Sequence, residues 1–267
     1  MKFVDMDLVR RLEIAGHSAV APEQMEETGS AGHARMAIGG GIAIFRGVHS
    51  PMTQAEGVGL NGPLSDEEFE RLEDFFRSRG SAVILEVCPL ADANFIQKLG
   101  ARGYRVTEFS NVLIREIESH EEFASPPLGM IVRKPAVGEE RLFAQTMARG
   151  FAEYFEVTEE LIATVQGFFT GQDVQPYLVL IDGKAAGGGT LTLRNGVAGL
   201  LGTSTLPEFR RRGIQTALIH ARLADAQAAG CDLAMSMTLP ISGSQRNLER
   251  QGFRVVYTRT KFMREWN

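Results

Sequence analysis

Three consecutive arginines, Arg210–Arg212, stand directly before Gly213 and an apolar run in the segment TLPEFRRRGIQTAL. The N-terminus of a helix already carries partial positive charge, so cations there are unfavourable unless something compensates them. Free backbone N–H groups at a helix start, together with the dipole, form a phosphate site. Gly213 would let a phosphate approach the main chain, and an arginine can bind two phosphate oxygens. The pattern predicts a bound phosphate; a solvated turn with ordinary surface arginines is the alternative.

The composition argues against nucleic acid as the source of that phosphate. The 267 residues carry a formal net charge of −5, with a pI of about 5.7, whereas duplex binding usually needs a basic face. The only aromatic residue near the arginines is Phe209. At 44% hydrophobic and 23% charged residues, the chain has a globular composition, and its length suits one large domain or two of about 130 residues.

Metal and membrane roles find no support in the residue types. Cys88 and Cys231 each lie in an apolar run, which favours buried free thiols over a disulfide. The five histidines, His17, His33, His49, His120 and His220, show no metal-ligand spacing. No apolar stretch approaches the ~18 residues that span a bilayer, and the segment MKFVDMDLVRRLE lacks an apolar secretory region. We therefore expect a cytoplasmic protein with no metal and no membrane partner.

The chain contains two similar halves. IQKLGARGYRV (96–106) aligns with QRNLERQGFRV (245–255) at an offset of 149 residues, and the offset continues to LIREI (113–117) and FMREW (262–266). GGGIAIFRG (39–47) resembles GGGTLTLRN (187–195) at an offset of 148. Alternating residues follow both glycine triplets, so we interpret them as strand glycines rather than phosphate loops. Ordered matches of this kind indicate two copies of one fold, joined near the proline-rich segment 119–129.

The C-terminal copy supplies the elements that would position the arginines. Hairpin turns are predicted at Asp182-Gly183 and Asn195-Gly196, between three strands. A strand then ends at Thr205-Leu206, and a helix of about 17 residues begins near Gly213 and stops at Gly230. Its apolar positions, Ile214, Ala217, Leu218, Ala221 and Ala224, fit one face. A strand at 233–238 and a short helix that Gly252 closes follow.

The segment TLPEFRRRGIQTAL resembles the acyl-CoA-binding segment of the GNAT superfamily of N-acyltransferases, whose pattern is Arg/Gln-x-x-Gly-x-Gly/Ala. Arg210 and Gly213 match the pattern, and Gln215 replaces the usual small residue. SGSQRNLERQGF resembles the second element of the family, a short helix that ends in Gly-Phe. The resemblance covers about residues 129–267 and includes the strand order.

The resemblance implies an α+β fold of two tandem GNAT-like domains, each a mostly antiparallel sheet flanked by helices. It also implies that acyl-CoA, with acetyl-CoA as the first choice, lies in a V-shaped gap where the strand ending at Thr205 diverges from the strand 233–238. The pantetheine would pair with backbone near Thr205, and the diphosphate would rest on the N–H groups of about residues 211–216. The coenzyme-binding residues would be Thr205, Leu206, Arg210, Arg211, Arg212, Gly213, Ile214, Gln215, Thr216, Ser244 and Asn247.

In the mechanism that the resemblance implies, an acceptor amine attacks the thioester directly, and catalysis consists mostly of positioning and backbone N–H stabilisation. Many family members have a tyrosine acid where this chain has Leu248, and the strand GLLGTST carries no carboxylate. Glu153, Tyr154 and Glu156 are weaker candidates that would flank the acceptor. The alternative is a solvated helix end for the glutamates and a packed ring for Tyr154.

The N-terminal half lacks an arginine-glycine loop. Its corresponding helix begins with Ser65 and the acids Asp66, Glu67 and Glu68, which suit a free helix N-terminus and would repel a diphosphate. We therefore predict a degenerate GNAT-like domain at 1–120, an acyltransferase domain at 128–267, and one acyl-CoA site per chain.

These observations favour an acyl-CoA-dependent N-acyltransferase that acetylates the amine of a small molecule or a peptide. A non-catalytic acyl-CoA sensor is the alternative, because the usual tyrosine is missing, and a scaffold with an empty pocket is a third reading. A fold does not fix a substrate, so the acceptor stays open. The oligomeric state stays open too, and a homodimer is compatible with the sequence.

Overall fold

The computed structural model describes residues 4–16, 34–48, 50–154, 156–166 and 174–266. Within these residues, seven α-helices and eleven strands form a mixed α+β fold. In chain order the elements are α1 (Met6–Gly16), β1 (Ala34–Ile38), β2 (Gly41–Phe45), β3 (Gln54–Glu56), α2 (Asp66–Arg77), β4 (Val83–Val87), α3 (Ala93–Ala101), β5 (Arg105–Glu116), β6 (Met130–Arg133), α4 (Glu140–Gly150), α5 (Glu159–Gln166), β7 (Val174–Ile181), β8 (Lys184–Arg194), β9 (Val197–Thr205), α6 (Ile214–Ala228), β10 (Leu233–Thr238), α7 (Gly243–Arg250) and β11 (Arg254–Arg264).

The chain forms two compact units that do not follow the order of the sequence. Leu113–Arg254 belong to one unit, here called the C-terminal unit. Phe3–Val112 and Val255–Asn267 belong to the other, the N-terminal unit. Compared with a linear division at 120–128, the N-terminal unit therefore includes nearly all of β11, and the C-terminal unit begins within β5.

The C-terminal unit contains strands in the order β6-β7-β8-β9-β10. The first four pair antiparallel, and β9 pairs with β10 in parallel. Both hairpin turns predicted from the sequence are present, with positive φ at Asp182, Gly183, Asn195 and Gly196, as two-residue turns of this type require. The core of the unit includes Leu218 and Leu223 from α6 and Leu191 from β8.

The glycine triplet 187–189 lies within β8, as its flanking pattern predicted. A Cβ atom added to Gly187 would lie 2.7 Å from the carbonyl oxygen of Ser204. One added to Gly188 would lie 2.8 Å from the carbonyl oxygen of Tyr177 and 2.9 Å from Sδ of Met147. These glycines therefore allow neighbouring strands and α4 to pack closely on β8.

The N-terminal unit orders its strands β1-β2-β3-β4-β11, with a parallel β3–β4 pair. Its helix α2 begins with a capping box. Ser65 Oγ accepts a hydrogen bond from Glu68 N at 3.2 Å, and Glu68 Oε2 accepts one from Ser65 N at 2.9 Å. Asp66 in the first turn binds Lys98 Nζ at 2.9 Å. The N-terminus of α2 is thus closed by its own side chains.

The capping box gives a first prediction. Ser65→Ala removes the acceptor for the Glu68 N–H, so we expect a loss of about 1 kcal/mol in the stability of α2. Hydrogen exchange of α2 amides measures the loss as faster exchange, and Ser119→Ala in the linker serves as the control. Equal exchange rates in α2 for the two variants would contradict this role of Ser65.

Candidate active site

The loop between β9 and α6 turns the chain sharply from strand to helix. Leu206 N donates to Ala186 O at 2.9 Å, which holds the end of β9 against β8. One turn of 3-10 helix, Pro207–Phe209, follows. Arg211 has a φ of 62° and Gly213 a φ of 78°. Two left-handed residues on either side of Arg212 thus reverse the chain before α6 begins.

The N-terminus of α6 is open. Gly213 is its N-cap residue, and within the described residues no side chain caps the helix. A Cβ atom added to Gly213 would have no atom within 4 Å. The first N–H groups of a helix have no partner inside the helix. This end of α6 therefore offers polarised N–H groups in open space, in contrast to the closed end of α2.

The three arginines differ in their surroundings. Arg210 Nη1 lies 3.0 Å from Glu153 Oε2, in an exposed ion pair. The guanidinium of Arg212 lies 5.7 Å from the centre of the Phe209 ring. Nearby, Arg149 Nη2 pairs with Glu208 Oε1 at 3.2 Å. The structure therefore brings the predicted phosphate ligand Arg210 together with Glu153, one of the predicted catalytic candidates.

The acid–base candidates lie at the surface. The hydrogen bond from Arg210 lowers the pKa of Glu153, which makes that carboxylate a weaker base. Tyr154 is 59% exposed, so its ring is not packed as one reading of the sequence supposed. Partial desolvation and the neighbouring Glu153 raise the pKa of Tyr154. Glu156 is also exposed.

A gap opens between β9 and β10. Their parallel pairing joins Val197 to Leu233 and ends, within the described part of the chain, at Gly199 and Met235. Beyond this point only β8 pairs with β9, up to Thr205. Ser236 Oγ donates to Leu200 O at 2.7 Å, just past the last pair. Among the residues that the structure describes, the backbone of β9 from Leu200 to Thr205 therefore has one edge without a strand partner, where an extended ligand can add.

Gln215 connects α6 to α7. Its Nε2 donates to Ser244 Oγ at 2.8 Å, and its Oε1 accepts from Asn247 Nδ2 at 2.6 Å. Asn247 Oδ1 in turn accepts from Arg250 Nη1 at 3.2 Å. The residue that departs from the family pattern thus binds both predicted ligands on α7. Leu248, in the position of the family's tyrosine, is 2% exposed and belongs to the core.

Sequence reasoning missed Arg222. This arginine on α6 is 1% exposed, and burial lowers the pKa of its guanidinium to about 9. It stands between the buried residues Leu218 and Ala226, each four positions away. The signal that could have identified Arg222 is therefore a charged residue on the apolar face of a helix.

The acetyltransferase (GNAT) family matches residues 140–253. That segment contains α4 to α7 with the loop, the gap and the open helix end. Residues 140–253 therefore form a GNAT acetyltransferase domain, as the resemblance indicated, and the match supports an acetyltransferase enzyme. No curated protein sequence matches the chain.

Several solved structures share the fold of nearly the whole chain. A GCN5-related N-acetyltransferase from Kribbella flavida is 17% identical with a TM-score of 0.63, over 88% of this chain and 91% of that one. A tandem GNAT protein from the clavulanic acid biosynthesis pathway is 14% identical with a TM-score of 0.60, over 90% and 81%. A GNAT-family acetyltransferase structure from Novosphingobium aromaticivorans is 21% identical with a TM-score of 0.54, over 95% and 97%. At these identities the likeness shows the fold, and it confirms the predicted α+β tandem GNAT architecture.

The cysteines, the metal-ligand groups and the apolar helices can also be compared with the sequence-based expectations. Cys88 and Cys231 are both buried, and neither forms a disulfide. Among the described residues, no group of three or more His, Cys, Asp or Glu side chains could hold a metal ion, and His17, His33 and His49 lie outside those residues. In the same part of the chain, no helix is long and apolar enough to cross a membrane.

The Gln215 contacts give a second prediction. Gln215→Ala removes the two side-chain hydrogen bonds that join α6 to α7, each worth about 1 kcal/mol. We expect faster amide exchange across Gly243–Arg250 in this variant. Thr216→Ala, one residue further along α6, is the matched control. If Gln215→Ala exchanged no faster in α7 than Thr216→Ala, Gln215 would not be the residue that holds α7 to α6.

Proposed function

We propose that the chain is an acyl-CoA-dependent N-acyltransferase that uses acetyl-CoA to acetylate the amine of a small molecule or a peptide. The observation that carries this proposal is the open N-terminus of α6 behind the left-handed Gly213. A diphosphate placed there would accept hydrogen bonds from the first-turn N–H groups and complement the helix dipole. The family match at 140–253 supports the same chemistry.

The residues present fit the coenzyme. Nothing lies within 4 Å of the position where a side chain would begin at Gly213, so a phosphate can approach the main chain. Arg210, Arg211 and Arg212 are exposed and can neutralise its charge. The free edge of β9 up to Thr205 can pair with the pantetheine amides, in the manner of an added strand. Ser244 and Asn247 are the proposed contacts from α7.

The reaction forms a C–N bond and breaks the C–S bond of the thioester. The amine nitrogen loses a proton, and the departing thiolate gains one. Leu248 carries no ionisable group, so water or another residue must supply that second proton. Tyr154, an exposed phenol that is protonated at neutral pH, is the candidate donor among the residues that the sequence analysis named. The main contribution of the chain is to hold the two reactants in contact.

We propose one coenzyme site per chain. The equivalent helix of the N-terminal unit, α2, is closed by Ser65 and Glu68 and carries acids in its first turn, so it would repel a diphosphate. This contrast supports a degenerate N-terminal domain. A cytoplasmic location and a homodimer stay predictions of the same proposal.

A matched pair of glycine variants tests the coenzyme site. Gly213 and Gly230 stand at opposite ends of α6, with φ values of 78° and 77° and no atom within 4 Å of an added Cβ. Gly213→Ala and Gly230→Ala should therefore lose similar stability, about 1–2 kcal/mol from the left-handed conformation. Only Gly213→Ala places a methyl group against the phosphate. We expect its Kd for acetyl-CoA, measured by calorimetry, to rise at least tenfold.

The outcome that removes the proposal is an unmodified protein that binds no acetyl-CoA at millimolar concentration. If the protein binds but both alanine variants bind equally well, the diphosphate lies elsewhere. A matched fall in thermal stability for the two variants would show that the comparison is fair.

The buried Leu248 favours a second candidate, a non-catalytic acyl-CoA sensor, because it leaves the usual acid position without a proton donor. Release of free thiol from acetyl-CoA across a panel of small amines and peptides separates the two candidates. We expect thiol release that depends on one class of amine. Turnover with any amine excludes the sensor, whereas tight binding without turnover across the panel supports it.

A further inference from the structure

The buried Arg222 has no carboxylate partner among the described residues. Its Nε donates to Leu218 O, on its own helix, at 2.9 Å. Removing a charge from water without an opposite charge is costly, and an apolar side chain of similar volume would fill the space at a lower cost. Core packing alone therefore does not explain why an arginine stands at this position.

The remaining donors of Arg222 bridge two strands. Nη1 donates to Thr190 O on β8 at 3.0 Å and to Leu201 O on β9 at 3.4 Å. Nη2 donates to Thr203 Oγ1 on β9 at 2.9 Å. A Cβ atom at Gly189 would lie 3.0 Å from Nη1. The third glycine of the triplet thus leaves room for the guanidinium.

These contacts lie where the β8–β9 pairing is irregular. Gly188 pairs with Ser204, but Thr190 pairs with Leu201, so β9 contains one residue more than β8 in this interval. Such a bulge disrupts the ladder and bends the strand. The carbonyl of Leu201 accepts from Arg222 and from Thr190 Oγ1, the latter at 3.0 Å. Arg222 therefore supplies hydrogen bonds that fix the shape of the bulge.

The bulge is open to solvent within an otherwise well covered strand. Gly202 has a φ of 57° and is exposed, whereas its neighbours Leu201 and Thr203 are half-buried and the next residues, Leu200 and Ser204, are buried. It also lies past the last β9–β10 pair, on the part of β9 that borders the gap. At ~3.3 Å per residue, Gly202 stands roughly 10 Å from Thr205 along the strand.

We propose that Arg222 is a positioning residue that holds the β9 bulge at Gly202–Thr203 in the form that receives the acyl end of the coenzyme. The inference rests on the proposed function. If the diphosphate sits at Gly213 and the arm enters beside Thr205, the arm runs along β9 toward the bulge. The same helix then binds the phosphate end at its N-terminus and shapes the acyl end through its ninth residue.

The test compares the binding of acetyl-CoA with that of CoA, which lacks only the acyl group. Thr203→Val removes one partner of Arg222 at constant volume, and Arg222→Met removes the guanidinium. Thr192→Val is the matched control, because Thr192 is a buried threonine of β8 whose hydroxyl has no hydrogen-bond partner among the described residues. Calorimetry gives both Kd values for each variant, and melting temperature shows whether it folds.

We expect Thr203→Val to keep the Kd for CoA within twofold and to raise the ratio of the acetyl-CoA Kd to the CoA Kd at least threefold. Arg222→Met, if folded, should show the same change, and Arg222→Lys should not restore the ratio, because one ammonium cannot bridge both strands. Thr192→Val should leave the ratio unchanged.

An unchanged ratio in Thr203→Val, with CoA still bound, overturns the positioning role while the proposed function stands. A parent protein that binds neither ligand removes the proposed function itself. Equal weakening of both ligands in Thr203→Val would also overturn the inference, because it would show a general structural role.

Discussion

The left-handed backbone of Gly213 is the constraint on which the proposed site depends. Only glycine adopts this conformation without strain, and here it starts α6 with no side chain over the first turn. The loop before it is short, so the end of β9 and the start of α6 are close in sequence. A ligand that bound the helix end would therefore reach the free edge of β9 directly. The three arginines lie in this loop, directly before Gly213. One of them, Arg210, already forms an ion pair with the carboxylate of Glu153.

The two halves of the chain contain equivalent helices whose N-termini differ. Both α2 and α6 follow a strand and pack an apolar face. At α2, the side chains of Ser65 and Glu68 bind backbone N–H groups of the helix start, whereas no described side chain caps α6. A few residues at the start of each helix thus decide whether its N-terminal N–H groups are bound by the chain itself or are available to a ligand. Repetition of a fold leaves room for this kind of divergence, because the core positions that preserve the fold are not the positions at the helix start.

Local rules predicted much of the fold and part of the site. Asn195-Gly196, Gly213 and Gly230 mark turns and helix ends through their own backbone preferences, and the structure has the elements where these residues indicated. The tandem α+β architecture followed from the repeat. Contacts between distant segments could not be predicted in this way. The bulge in β9 depends on the register with β8, so residue spacing alone could not place Arg222 against it. Likewise, the link from Gln215 to Ser244 and Asn247 depends on how α7 packs, which no residue spacing reveals.

The distribution of β11 has a consequence for biosynthesis. Val255–Asn267 belong to the unit that also contains Phe3–Val112, so that unit is not contiguous in the chain. During translation, the sheet of the N-terminal unit cannot gain β11 until residues 255–264 have left the ribosome. The segment Leu113–Arg254 has all of its residues earlier. The half that is synthesised later can thus complete its fold first, and until β11 is made the edge of β4 that pairs with it stays without that strand.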